Sequence, residues 1–134
     1  MNTALLVVGT VFALLAAVVH VYIWVLESVL WTRPSTRRTF GVATEAEAET
    51  LRGMAYNQGF YNLFLALGTG VGLVLLWSGL QLVGGALTLF ATLSMALAAF
   101  VLLSGNRRML RAALVQGAAP LVAVVCLALA LATA

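Results

Sequence analysis

Residues 3–31 read TALLVVGTVFALLAAVVHVYIWVLESVLW, a run in which Glu27 is the only charged side chain and His20 the only imidazole. A helix needs about 20 predominantly apolar residues to cross the hydrocarbon of a bilayer. This run exceeds that length, and three others match it, at about residues 54–77, 80–103 and 109–131. Met1 to Leu6 carries no positive charge, and the apolar run is longer than a signal core, so it reads as a span rather than a cleaved leader. Ser78-Gly79 and Ser104 to Arg108 are short connections, which make sequence neighbours antiparallel neighbours in space. The expected fold is therefore all-α: one transmembrane domain over 1–134, a four-helix bundle of up-down topology, with a cytoplasmic loop at 32–52.

Composition agrees. Of 134 residues, 63% are hydrophobic and 8% charged, where a soluble domain carries about 25% charged residues. A water-soluble fold of this size could not bury that much apolar surface, which excludes a soluble enzyme and a disordered tail. A lone Cys126 excludes an internal disulfide framework. The net charge is +3, but no basic run is interleaved with aromatics, so no nucleic-acid partner is expected.

The seven basic residues are all Arg. Arg33, Arg37, Arg38 and Arg52 lie in or beside the first loop, and Arg107, Arg108 and Arg111 at the third connection. All seven thus mark one side, which the positive-inside rule assigns to the cytoplasm, with both termini outside. That arrangement fits the cell membrane, a bacterial inner membrane in particular. In the loop, Pro34 stops the first helix, and Thr44 followed by Glu47 is a capping-box pattern from which helix runs into the second span. Glu45, Glu47 and Glu49 then suit the positive end of that helix.

Polar groups within a span are costly and mark a protein interior or a wet cavity. Glu27 lies six residues inside Arg33, about 9 Å along a helix, and His20 is two turns deeper on nearly the same face. Trp24 and Trp31 share that stripe. Trp31 and Trp77 also read as interface anchors at the ends of their spans. On the second span, Asn57, Gln58, Tyr61 and Asn62 fit one arc of about 140°, with Gly59, Phe60 and Leu63 outside it. On the fourth, Gln116 precedes Pro120, which cannot donate to the Gln116 carbonyl. Counted from the Arg edge, Glu27, Asn57, Gln58 and Gln116 form a shallow polar layer, with His20, Tyr61 and Asn62 deeper. The third span offers only Thr88, Thr92 and Ser94 near its centre, residues able to bond back to their own helix. Gly68-x-x-x-Gly72, the Gly84-Gly85 pair and the alanines around Gln116 allow close helix approach, inside the bundle or between copies.

These residues carry a family resemblance. His20-Val-Tyr-Ile-Trp-Val-Leu-Glu27, Trp31, Pro34, Arg38-Thr-Phe40-Gly41, Asn57-Gln-Gly-Phe-Tyr61-Asn62 with Phe64-Leu-Ala66, and Gln116-Gly117 resemble the domain-of-unknown-function 1304 family of small four-helix membrane proteins. The third span departs from it, with Ala98-Ala-Phe-Val-Leu where the family often has an Ala-Gly-x-Tyr-Gly-like run. The resemblance implies a membrane fold and supplies no reaction.

The pattern predicts an inner-leaflet pocket for a lipophilic molecule, lipid- or isoprenoid-like. Glu27 and His20 are the candidate acid–base pair, and Asn57, Gln58, Tyr61, Asn62, Gln116 and Trp24 the candidate binding residues. No metal set or cofactor fingerprint stands beside them, and His20 is the only histidine. The alternatives are a proton-coupled transporter working as a homo-oligomer, and a non-catalytic subunit of a larger membrane complex. Scarcity of polar groups in the outer half counts against a channel.

Overall fold

A computed structural model describes residues 2–133, which are helical apart from short connections. Helix α1 (Thr3–Trp24) continues without a break into one π-helical turn, Val25–Val29. A short α2 (Pro34–Phe40) precedes α3 (Glu45–Trp77), α4 (Gln81–Gly105), a 3₁₀ turn at Arg107–Met109 and α5 (Leu110–Ala132). Four of these helical segments are long and apolar enough to cross a membrane.

The helices close into a ring. Each of α1, α3, α4 and α5 packs against two neighbours, and α5 returns to α1. Side-chain pairs show every neighbour to be antiparallel. Trp77 at the end of α3 donates its indole N–H to Thr10 Oγ1 near the start of α1, at 3.1 Å. Gly117 on α5 faces Ala99 on α4, and Gly9 on α1 faces Leu127 on α5. The Asn2 amide donates to Thr133 Oγ1 at 3.2 Å, so both ends of the described chain share one face of the bundle with the Ser78-Gly79 turn.

Small residues set the helix spacing. Gly84 lies directly on the backbone of Leu76 and Gly72, so that any Cβ there would overlap main-chain atoms. The Gly68/Gly72 face is thus turned to α4 of the same chain, where Ala91 and Thr88 meet it. Thr88, Thr92 and Ser94 donate to the carbonyls of Gly84, Thr88 and Phe90 four residues back, at 2.7–2.8 Å, which satisfies their hydroxyls within α4. One apolar core, including Leu6, Ala13, Leu73, Leu76 and Leu127, fills the end of the bundle near the termini.

A second core caps the opposite, arginine-bearing end. It joins Trp31, Val42, Ala48 and Ala55, with Phe40 and Leu51 against it. Trp31 is buried and donates its indole N–H to the Ala48 carbonyl at 2.8 Å. This corrects its reading as an interface anchor: the indole is a structural clamp holding the loop onto α3. Trp77, by contrast, is exposed at the other end. The stretch between the first two spans is also more ordered than a plain loop. The first helical segment ends at Val29, five residues before Pro34, and Pro34 opens α2 at its first position, where its missing N–H costs nothing. Gly41 closes α2 in the left-handed region at φ 71°. Thr44 Oγ1 then caps α3 by accepting from the Glu47 amide at 3.1 Å, while Glu47 Oε2 accepts from the Ala43 amide at 3.0 Å, one residue earlier than the N-cap amide of a capping box. At 33 residues α3 is about 50 Å long. Its first two turns therefore stand clear of any bilayer that its remainder spans.

Candidate functional site

The π turn centres on Glu27. Widening one turn to a five-residue step, with Leu30 N–H donating to the Val25 carbonyl at 2.9 Å, locally rearranges the helix face. Such single-turn insertions are rare in helices and are often found at functional positions. Opposite the π turn lies Gly59 of α3, buried and without a side chain. Ser28 and the Cβ of Glu27 occupy the space that a side chain at 59 would need. Ser28 Oγ donates to the Tyr56 carbonyl at 3.1 Å, fixing the two segments together.

This close approach brings Glu27 to Asn62. Asn62 Nδ2 donates to Glu27 Oε2 at 2.9 Å and to the Gln58 carbonyl of its own helix at 3.1 Å. Both side chains are half-buried. Among the described residues the one ion pair is Glu49–Arg52, on the surface, so the Glu27 carboxyl is matched by an amide and not by a cation. Trp24, one turn back, packs edge-on against Phe60 with ring centroids 6.1 Å apart, and Phe60 continues into Tyr56 and Phe64. The Trp24 indole N–H is enclosed and has no hydrogen-bond partner.

Several positions differ from the sequence expectation. Asn62 stands at the level of Glu27, not in a deeper layer with His20. The depth count took Arg52 as the membrane edge, whereas α3 begins at Glu45 and Arg52 is already two turns along it. The polar arc of α3 also divides. Asn57, Gln58 and Tyr61 are exposed on the outside of the helix, and Asn62 alone turns inward. Gly59 and Phe60, outside that arc, are the residues that meet α1 and its π turn. A span of about 20 residues counted back from Trp77 reaches Asn57. A bilayer crossed by those residues would have Asn57, Gln58 and Tyr56 at its edge, where polar and aromatic side chains are favourable. Glu27 and Asn62 lie about 7 Å deeper.

His20 is almost fully buried, and its Nδ1 donates to the Ala16 carbonyl at 2.8 Å. A carbonyl can only accept, so Nδ1 carries a hydrogen, and Nε2 is the nitrogen not engaged by the Ala16 carbonyl. The ring is directed back along α1, away from Glu27, which is about 10 Å further along the axis. The two are not in direct contact. Counting along both helices from the Gly9–Leu127 contact puts His20 at the level of Gln116, which is half-buried on α5 above the buried Pro120. Two surface hollows are not built from the polar residues. One, of about 250 Å³, is an apolar groove between α1 and α3 lined by residues such as Leu14, Val18, Val21 and Leu67. The other lies at the α4–α5 turn.

Gly59 and Ser28 are the contributors that sequence reasoning missed. Gly59 lies inside the Asn57–Asn62 motif, and its lack of a side chain beside an interior Glu is the signal that could have found it.

Four apolar helices closed into a ring, with a carboxyl–amide pair between two of them, define a multi-pass membrane protein of the four-helix-bundle class. A family model described as a protein of unknown function, DUF1304, matches residues 14–128, which take in every residue of the seam. The chain belongs to that family. No curated protein and no solved structure matches it.

Proposed function

We propose that the protein binds a lipophilic small molecule, lipid- or isoprenoid-like, at the Glu27–Asn62 seam in the inner leaflet, and acts on it by acid–base chemistry. The carrying observation is the 2.9 Å hydrogen bond between these side chains from separate spans. An ionisable group held at membrane depth without a cationic partner is a functional candidate by default. Asn62 uses one amide hydrogen on Glu27 Oε2, which fixes the carboxyl while leaving Oε1 to take or give a proton. The aromatic run Tyr56–Phe60–Phe64, joined by Trp24 of α1, offers an apolar molecule a wall on the same helix as Asn62. His20 Nε2 enters a proton path only through intervening ligand atoms, given its distance from Glu27. The arginine-bearing end faces the cytoplasm in this reading, and the membrane is the bacterial inner membrane.

A second reading has one observation in its favour. Asn57, Gln58 and Tyr61 present polar side chains outward from α3, a surface suited to docking on another membrane subunit. One purification separates the two. Wild type, Glu27→Gln and Asn62→Ala are isolated in mild detergent, and their organic extracts and protein partners are examined by mass spectrometry. A hydrophobic molecule near one equivalent in wild type, depleted in both variants, is the expected result. A stoichiometric protein partner with no bound small molecule supports the subunit reading instead. Full cellular function of both variants defeats the site.

A further inference from the structure

We infer that the arginine-bearing end of the α4–α5 hairpin is a binding site for an anionic phospholipid, separate from the Glu27 seam. A hollow of about 460 Å³ lies there, lined by Phe100, Leu103, Ser104, Arg107 and Leu110. Its volume is within the range that holds a small ligand. Phe100, Leu103 and Ser104 stand at i, i+3 and i+4 on one face of α4, and Arg107 joins them from the 3₁₀ turn beyond the extended Asn106. The inner part of this strip is apolar, with Phe100 mostly exposed at membrane depth. Arg107 of the 3₁₀ turn closes its outer end.

The charge around that end is one-sided. Arg107, Arg108 and Arg111 fall within five residues, and the four Glu of the chain lie elsewhere, at 27, 45, 47 and 49. The ion pair Glu49–Arg52 involves none of the three. Ser104 Oγ donates to the Val101 carbonyl at 2.8 Å, so its own hydrogen is spent and the donors available to a ligand in the hollow are those of Arg107. A planar guanidinium binds phosphate oxygens through two parallel hydrogen bonds. The ligand that completes this arrangement is negative at the interface and hydrocarbon a few ångströms further in. A phosphodiester headgroup with an acyl chain lying along Leu103 and Phe100 has that form. A free phosphate satisfies only the outer end.

Retention of lipid by the intact purified chain tests this. Protein in nonionic micelles is equilibrated with equal amounts of phosphatidylglycerol and phosphatidylcholine, and the bound lipid is counted by native mass spectrometry. Phosphatidylglycerol should be retained at least about fivefold over phosphatidylcholine, and Arg107→Gln should remove about that factor, the ratio one basic residue contributes at a lipid surface. Arg52→Gln, the same charge lost outside the hollow, should leave the preference intact. Leu103→Trp, which keeps every charge but fills the strip, should lower phosphatidylglycerol retention as Arg107→Gln does. Equal retention of the two lipids, equal effects of Arg107→Gln and Arg52→Gln, or an unaffected Leu103→Trp would each overturn the proposal. So would full displacement of the lipid by millimolar glycerol phosphate, which would mean a soluble-anion site.

Discussion

Gly84 on α4 lies against the main chain of Leu76 on α3, closer than any side chain would allow. Backbone cannot retreat as a flexible side chain can, so this contact sets the α3–α4 spacing. Gly84→Ala should lower stability by about 1–3 kcal/mol, the cost of overpacking a close-packed interface. Gly53, inside the exposed first part of α3 with nothing near its Cα, provides the contrast. Gly53→Ala should raise stability by up to about 1 kcal/mol through helix propensity alone. Thermal unfolding of both in the same detergent checks the pair, and a neutral Gly84→Ala would show that the helices can separate without loss.

The Glu27–Asn62 bond should be measurable as a coupling energy. A double-mutant cycle with Glu27→Ala and Asn62→Ala should give about 1 kcal/mol, in the range found for hydrogen bonds between membrane helices. Glu27→Gln keeps an acceptor oxygen and should cost less stability than Asn62→Ala, which leaves the carboxyl without its donor. Reversal of that order would mean that Asn62 holds the helices by packing and not through the carboxyl.

The arginine-end cap makes two opposite predictions. Trp31→Phe removes the donor to the buried Ala48 carbonyl and should weaken the cap by about 1–3 kcal/mol. The loss should appear as faster amide exchange over residues 34–55, with the four spans unaffected. Thr36 is buried and its hydroxyl has no hydrogen-bond partner. Thr36→Val replaces that hydroxyl with a methyl of similar shape and should stabilise the cap by about 1 kcal/mol. Exchange measured on both variants decides between them: Trp31→Phe accelerates it and Thr36→Val slows it.

Orientation follows from charge. With all seven Arg at one end, a reporter enzyme active only outside the cytoplasm should work when fused after Thr133 and fail when inserted at Gly41. Adding three Arg after Asn2 should reduce that bias. Activity at Gly41 would reverse the assignment.

Much of this architecture was legible in the sequence, for reasons that differ between elements. The spans were readable because hydrocarbon imposes a minimum length of apolar residues, whatever the neighbours. The Thr44–Glu47 cap was readable because its chemistry is local. Helix α2 is not expected from the sequence, although Pro34 and Gly41 bracket it as start and stop, because a proline after an apolar run signals an end to helix as readily as a beginning. The π turn had no signature: Val25 to Val29 are ordinary helix residues, and the extra residue in that turn accompanies the packing of Ser28 on Gly59. For the same reason the polar arc of α3 misled. Helical periodicity says which residues share a face, but not which face a partner will take. Gly59 decides that, because the π turn can only approach where α3 has no side chain. The pairing of Glu27 with Asn62 depends on a register between two helices, which no window along one chain contains.

The contact between Asn2 and Thr133 has a bearing on biogenesis. Because α1 packs on α5, its inward face along Gly9 and Ala13 has no permanent cover while α3 and α4 are being inserted. The first span must wait in the bilayer, half-dressed by α3, until the final span arrives to close the ring. Inserted helices that associate in a second stage tolerate such a delay. A chain shortened before α5 would therefore leave a correctly inserted but open trimer of helices, an expected substrate for membrane quality control.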